Sequence, residues 1–390
     1  MQNTNNYLKL SIHEKFILEY IRNDSVQDFR YNALHKFPQI KFSFSKLPLN
    51  LRPFIFHESL NYSDLFILDE DSRKLFYDDY VRNIARNEYI RQLAKEISRV
   101  FTENMINSIL LKGAALIFTL YKNEPIRTMS DIDILVDKNN LSKASDLLIG
   151  LGYKRHDKEK KQYFHYAFIR NNFVVELHWD IERKSNRLVL KKIFESSTKI
   201  VDQGIELGIP SNEVSFFLAC VNFNRSFCEP FIGLEKDTSV IIYRTLFFLY
   251  EIKRIVESAK SNFNWREFIF LTKLARNKLK VFTLILLAEK IVKINTPKDI
   301  LILMRRDPVT RFYMFSVRNL RYLDCNKLFL LREILTRFID VPFLFTKPYS
   351  FISNLYQILL VFLYLYSYKI YLMIRKIRTY IARKVLSCDF

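Results

Sequence analysis

Cysteine is rare in this chain: four among 390 residues, at Cys220, Cys228, Cys325 and Cys388. None forms a C-x-x-C pair, and no histidine stands at metal-finger spacing from them, which argues against structural zinc. A chain of this length buries a core without covalent staples, so a disulfide scaffold is not expected either. Cys388 is third from the end, whereas prenylation needs the fourth position. The opening MQNTNNYLKL is polar and lacks the apolar stretch of a secretory signal, so the expected compartment is the cytoplasm. Glycine is scarce too, at six residues, while Tyr, Phe, Lys, Asn and Ile abound; this reads as composition bias with no functional message. Acids are outnumbered, 41 against 61 bases, giving a formal charge of +20 and a sequence pI of about 9.6. That balance favours anionic partners (nucleotides, nucleic acid or an acidic membrane face) and does not choose among them. The hydrophobic fraction of 49% and charged fraction of 26% are those of a globular protein, long enough for two or three domains. No repeat of fixed period is evident.

Residues 1 to about 65 read as a helical start, with Phe16, Ile17, Tyr20 and Ile21 on one face, followed by a stretch broken by Pro38, Pro48 and Pro53. Residues 73–104 predict a long helix. Val81, Ile84, Ile90, Leu93, Ile97, Val100 and Phe101 recur at three- and four-residue spacing, and Arg, Lys and Glu fill the other face. Ile109 to Leu111 predicts a buried strand entering a turn at Lys112-Gly113, and Ala114 to Tyr121 predicts a helix. Ile132, Ile134, Leu135 and Val136 predict a second strand. Asn140 is placed to cap a helix that stops at Gly152. Tyr163–Ile169 and Phe173–Trp179 predict a hairpin around Arg170-Asn171-Asn172. From about 200 to 340 the pattern is mostly helical, with apolar runs at 214–223, 240–256 and 281–292 suited to a bundle.

Chemistry concentrates in the middle of the chain. In RTMSDIDILV, Asp131 and Asp133 share one strand face while Ile132 and Ile134 point to the core. In FVVELHW, Glu176 and His178 share a face with Val174, and Phe173, Val175, Leu177 and Trp179 form the face expected to be buried. If the two strands are neighbours, Asp131, Asp133 and Glu176 converge. Three packed anions repel unless cations join them, and Mg²⁺ suits an all-oxygen set. Two such ions serve nucleotidyl transfer by polarising an attacking hydroxyl and neutralising leaving pyrophosphate. Gly113 opens a strand-to-helix turn whose free N–H groups suit a phosphate. Lys112 and Arg127 are the nearest cations for a triphosphate. Each has a plainer reading: Lys112 as a solvated turn residue, Arg127 as a partner of Asp131 or Glu124. His178 is placed either to meet the acceptor or to serve as a structural histidine. His13, His35, His57 and His156 are scattered and carry no signal.

Together these residues resemble the nucleotidyltransferase superfamily, whose best-known member is DNA polymerase beta. Within it the chain is similar to a bacterial family of uncharacterised nucleotidyltransferases. The resemblance rests on Leu111-Lys112-Gly113-Ala114-Ala115, on Arg127 through Val136, on Leu151-Gly152-Tyr153 and on Val175 through Trp179. His165 falls where that family often has a histidine. The clear likeness spans roughly residues 75–185 and extends more loosely to about 290. It implies an α+β fold: a nucleotidyltransferase-type mixed sheet with flanking helices over 71–200. An N-terminal extension (1–70) precedes it, and an α-helical bundle domain (201–345) and a C-terminal amphipathic segment (346–390) follow. It also implies a metal set of Asp131, Asp133 and Glu176, and phosphate contacts from Lys112, Gly113, Ala114 and Arg127. An NTP such as ATP is the expected substrate, with two Mg²⁺ ions as cofactor. The hydroxyl acceptor is open among small molecule, sugar, protein and tRNA. Ala114 departs from the wider superfamily, where a Ser hydroxyl usually meets phosphate; one hydrogen bond, worth about 1.5–3 kcal/mol to a charged acceptor, is missing.

Pro348 to Tyr368 contains no charged residue, and a basic amphipathic helix is expected after Lys369. A single span would separate a cytoplasmic nucleotide site from a tail that also prefers the cytoplasmic side. Residues 350–386 therefore fit a helix lying on the inner membrane face or one packed on the helical domain. Two further readings stand beside transfer. One is a catalytically inactive protein of this fold binding nucleic acid or acidic membrane through its basic surface. The other is a toxin or antibiotic-modifying enzyme differing only in acceptor.

Overall fold

The computed structural model describes residues 12–23, 29, 41–42, 47–156, 164–181, 186–228, 238–275, 278–307 and 310. All belong to a unit spanning Met1–Cys325; the second unit, Asn326–Phe390, lies outside the described residues, and with it the apolar and basic stretch expected at 348–386. Among the described residues no helix is long and apolar enough to cross a membrane.

The N-terminal elements are α1 (Ile12–Arg22), β1 (Lys41–Phe42), α2 (Arg52–Asn61) and β2 (Ile67–Leu68). The long helix follows as α3 (Glu70–Glu103). Asp69 caps it, accepting from Ser72 N at 2.8 Å, and Glu70 and Asp71 place negative charge on its positive N-terminal end. Ile90, Leu93, Ile97 and Phe101 are buried as their spacing predicts, but Val81 and Ile84 are exposed. In that half of the helix Asn83 and Asn87 take the buried face instead.

Then come β3 (Ser108–Leu111), α4 (Lys112–Leu116), β4 (Asp131–Val136), α5 (Leu141–Gly150), β5 (Lys154–Arg155), β6 (His165–Arg170) and β7 (Phe173–His178). The five strands form one mixed sheet in the order β3-β4-β7-β6-β5, in which only β4 and β7 run parallel. Asn171 and Asn172 close the β6–β7 hairpin with φ of 51° and 65°, a left-handed two-residue turn that asparagine tolerates. The α+β core is thus as the sequence implies, with two local corrections. The helix expected over Ala114–Tyr121 stops at Leu116, because Arg91 draws the carbonyls of Ile117, Tyr121 and Lys122 to its guanidinium. Asn140 precedes α5, but its side chain makes no cap; Asp137 instead caps a short turn by accepting from Asn139 N.

Strand alternation gives the sheet two different faces. Leu110, Ile132, Ile134, Val136, Phe168, Val175 and Leu177 pack against α3 and α5. On the other face, Ile109, Leu111 and Leu135 join the core of the helices that follow. The charged residues of β4 and β7 occupy the remainder of that second face.

After α6 (Arg187–Ser196) the chain forms a hairpin of β8 (Thr198–Asp202) and β9 (Ile205–Ile209) that helical patterning from about 200 does not reveal. Its exposed strands bury little beyond Leu207 and Ile209, so the apolar signal is weak. Gly208 is required there, since a Cβ would sit 2.1 Å from Ser108 O. The helices α7 (Asn212–Cys228), α8 (Thr238–Ala259), α9 (Trp265–Leu274), α10 (Lys278–Val292) and α11 (Lys298–Arg306) complete the described chain. Their core includes Phe216, Phe217, Ile252, Phe268 and Ile285, and it is continuous with Phe16 and Ile17 of α1 and Phe54 and Ile55 of α2.

In this core Tyr20 donates to Glu58 at 2.5 Å. Burial pushes the Glu58 carboxyl up to about 7. The folded state therefore holds this proton more tightly than the unfolded state. Stability from the group is fully present below the ordinary carboxylate range and is lost as pH rises toward 7. Glu58→Gln is expected to flatten the fall in melting temperature between pH 5 and 8, by up to about 3 kcal/mol of pH-linked stability. An unchanged slope in thermal melts would refute this.

Candidate active site

The parallel register of β4 and β7 builds the site. It sets Asp131 opposite Val174 and Asp133 opposite Glu176. Ligand oxygens of Asp131, Asp133 and Glu176 lie within 4.8 Å of one another. The antiparallel register of β3 places Leu111 opposite Asp133, so Lys112 emerges beside it. Lys112 has a φ of 50°, a left-handed conformation that costs a non-glycine residue about 1–3 kcal/mol. Its Nζ lies 2.5 Å from Asp133 Oδ1. His178 Nε2 stands 2.9 Å from the same oxygen and 3.2 Å from Glu176 Oε2.

Charge is divided unevenly among the three acids. Burial alone would raise the Asp133 pKa, but Lys112 and His178 hold it well below the usual carboxylate range. Reciprocally, burial opposes the charge of Lys112, and Asp133 outweighs it and raises the pKa. His178 follows the same pattern, with hydrogen bonds to Asp133 and Glu176 overcoming burial. Lys112 acts on Asp131 by charge alone, without a hydrogen bond, and offsets its surroundings only in part. Burial first, then the charges of Asp133 and Glu176, push its carboxyl up, and Ser130 is its hydrogen-bond donor at 3.1 Å. A hard, all-oxygen set with one under-compensated carboxylate fits a divalent ion such as Mg²⁺.

Gly113 is fixed by packing, not by dihedral freedom. A Cβ on it would lie 2.7 Å from Met129 Sδ and 3.0 Å from Met129 Cγ. The segment carrying Met129 is pinned from α3. Asn83 donates to the carbonyls of Pro125 and Arg127, Asn87 to Arg127 at 3.0 Å, and Arg86 Nε to Met129 at 2.6 Å. This clamp leads straight into Asp131. Its sequence signal was two asparagines four apart inside a strong helix, where asparagine is a poor helix former. Ala114 is wholly buried in the apolar cluster against α3, so its side chain belongs to the core.

Arg127 pairs neither with Asp131 nor with Glu124. Its Nε lies 2.5 Å from Oε2 of Glu251, a buried acid on α8. Glu124 pairs with Arg254, one turn further along α8, with Arg254 Nη2 at 3.0 Å. Both partners were hidden in the apolar run 240–256. A narrow cleft between sheet and helices is lined by Lys112, Leu116, Arg127, Ser215, Ala219, Asn222 and Glu251.

The site thus sets an Asp-x-Asp strand beside a parallel Glu strand within a mixed sheet. A family model described as "Uncharacterised nucleotidyltransferase" matches residues 50–293, and the chain belongs to that family. No curated protein gives a match. Among solved structures, ANT(2")-Ia in complex with adenylyl-2"-tobramycin is similar at 12% identity and a TM-score of 0.32, over 48% of this chain and 97% of that one. An antigenic nucleotidyltransferase-like protein from Paracoccidioides brasiliensis is similar at 14% identity and a TM-score of 0.31, over 52% and 92%. Likeness at that level says nothing about what this chain binds.

The Gly113–Met129 contact predicts a coupled pair. Gly113→Ala is expected to cost about 1–3 kcal/mol by overpacking. In a Met129→Ala background the same change should cost under about 0.5 kcal/mol, because the obstructing sulfur is gone. Denaturant melts of the four proteins test this; equal costs in both backgrounds would exclude the contact.

Proposed function

We propose that this chain is a Mg²⁺-dependent nucleotidyltransferase that moves an NMP from an NTP, such as ATP, to a hydroxyl acceptor with release of pyrophosphate. The observation that carries the reading is the convergence of Asp131, Asp133 and Glu176 within 4.8 Å on adjacent parallel strands. These three would hold the metal. When bound, Mg²⁺ supplies the charge that acidifies the acceptor hydroxyl and neutralises the departing pyrophosphate. Glu176, half-exposed at the edge of the set, accepts the acceptor's proton. Lys112 now neutralises Asp133; once a cation takes that duty, its ammonium is free to meet a triphosphate oxygen. Arg127 and the backbone N–H groups of Gly113 and Ala114 supply the other phosphate contacts. The acceptor is a small molecule, sugar, protein or tRNA; His178, buried against Asp133 and Glu176, holds those two acids in place for it. The reading places the protein in the cytoplasm.

Asp131→Asn separates chemistry from folding. It removes the acid that burial and its neighbours disfavour, so the melting temperature should hold or rise. Mg²⁺-dependent NTP binding in calorimetry should fall by more than about a hundredfold, since even groups that merely support a metal ligand contribute about 10–100-fold. Wild-type protein that binds no NTP with Mg²⁺ present would instead favour the non-catalytic reading. That reading expects binding to nucleic acid or acidic lipid that ignores Mg²⁺ and collapses with salt.

A further inference from the structure

The β6–β7 hairpin builds a second donor set beside the three acids. His165 and His178 are direct partners across the antiparallel pair, and Glu176 lies on the same face opposite Ala167. His165 Nε2 stands 3.6 Å from Glu176 Oε1, and His178 Nε2 stands 3.2 Å from Glu176 Oε2. One ligand atom from each residue lies within 4.8 Å of the other two. The two imidazole centroids are 4.8 Å apart. Both rings are buried, at 7% and 2% exposure.

Two buried imidazoles this close repel if both are charged. As neutral ligands they share one dication without that penalty. Around a four-coordinate ion with bonds of about 2.0–2.2 Å, neighbouring donors stand about 3.3–3.6 Å apart; the two nitrogen–oxygen separations, one to each Glu176 oxygen, are 3.6 and 3.2 Å, so a small shift brings both imidazoles onto one ion. Opposite Glu176 stands Ala167, whose methyl brings no competing charge or donor. The Phe164 ring lies 4.8 Å from His165 and 5.8 Å from His178, an apolar neighbour of the kind that limits water and strengthens ligation.

The donor types set the preference. Two imidazole nitrogens and one carboxylate oxygen suit Zn²⁺ and Co²⁺, whereas Mg²⁺ prefers the all-oxygen set alongside. We propose that His165, Glu176 and His178 bind a transition-metal dication of the zinc class, sharing Glu176 with the carboxylate set. On binding, the His178 Nε2 lone pair goes to the ion and any proton it shared with Asp133 leaves to solvent. His165 is the distinguishing residue, because it belongs only to the second set.

The test uses the full chain without nucleotide. Co²⁺ is titrated in and its visible absorption followed, then Zn²⁺ and excess Mg²⁺ are added in turn. Tetrahedral-type Co²⁺ bands that Zn²⁺ displaces and Mg²⁺ does not are the expected result. His165→Ala should weaken Co²⁺ at least about tenfold. His165→Gln, close in size and still polar, should do the same with its thermal melt unchanged, which guards against a mere folding defect. Asp131→Asn should leave Co²⁺ binding intact, so failure of nucleotide transfer would not touch this site. Absence of Co²⁺ binding, binding indifferent to both His165 variants, or binding lost in Asp131→Asn would each overturn the proposal.

Discussion

Pairing β4 with β7 in parallel brings Asp133 and Glu176 side by side, with Asp131 one alternation away on the same face. Such a cluster would repel itself, and the fold tolerates it because two cations reach the innermost acid. Lys112 and His178 both contact Asp133 Oδ1, so the buried carboxylate stays ionised while Asp131 carries the strain of crowding. Compensation from side chains is weaker than from a bound dication but asks for the same geometry.

Much of the surrounding protein serves to hold that register. One sheet face is sealed by the apolar stripes of α3 and α5, which fixes which residues of β4 and β7 point away from it. The loop entering Asp131 buries Ile126 and Met129 and is secured through its carbonyls by Asn83, Arg86 and Asn87. Across the cleft, Arg127 and Glu124 are tied to Glu251 and Arg254, successive-turn residues of α8. Glu251 is buried, so breaking its pair with Arg127 on one side is costly, whereas the partly exposed Glu124–Arg254 pair contributes orientation more than stability. They thus hold the loop at a set distance from the helices that wall the cleft.

Legibility followed from how local each signal is. The strands, the hairpin turn at Asn171-Asn172 and the lower half of α3 are written in short-range alternation and helical spacing. So is the shared face of Asp131 with Asp133 and of Glu176 with His178. The carbonyl clamp was not legible, since Asn83 and Asn87 look like surface residues until a loop some forty residues on is laid over them. Val81 and Ile84 mislead for the same reason: the apolar residues face out because the polar ones have partners. The β8–β9 hairpin escapes notice because its strands are mostly exposed, and the end of α4 at Leu116 is set by Arg91 from another helix.

Strand faces, family and the identity of the acids are all written in short stretches of chain. These rest on period-two alternation and on residue types at fixed short spacing, which no distant contact alters. Assembly in three dimensions settles that β4 and β7 lie parallel and adjacent, that Lys112 and His178 compensate Asp133, and that Arg127 pairs with Glu251. It alone also brings His165 opposite His178. Those pairings join residues between about thirteen and more than a hundred positions apart. They are settled by burial and charge balance in the assembled fold, where the cost of leaving a buried charge alone selects its partner.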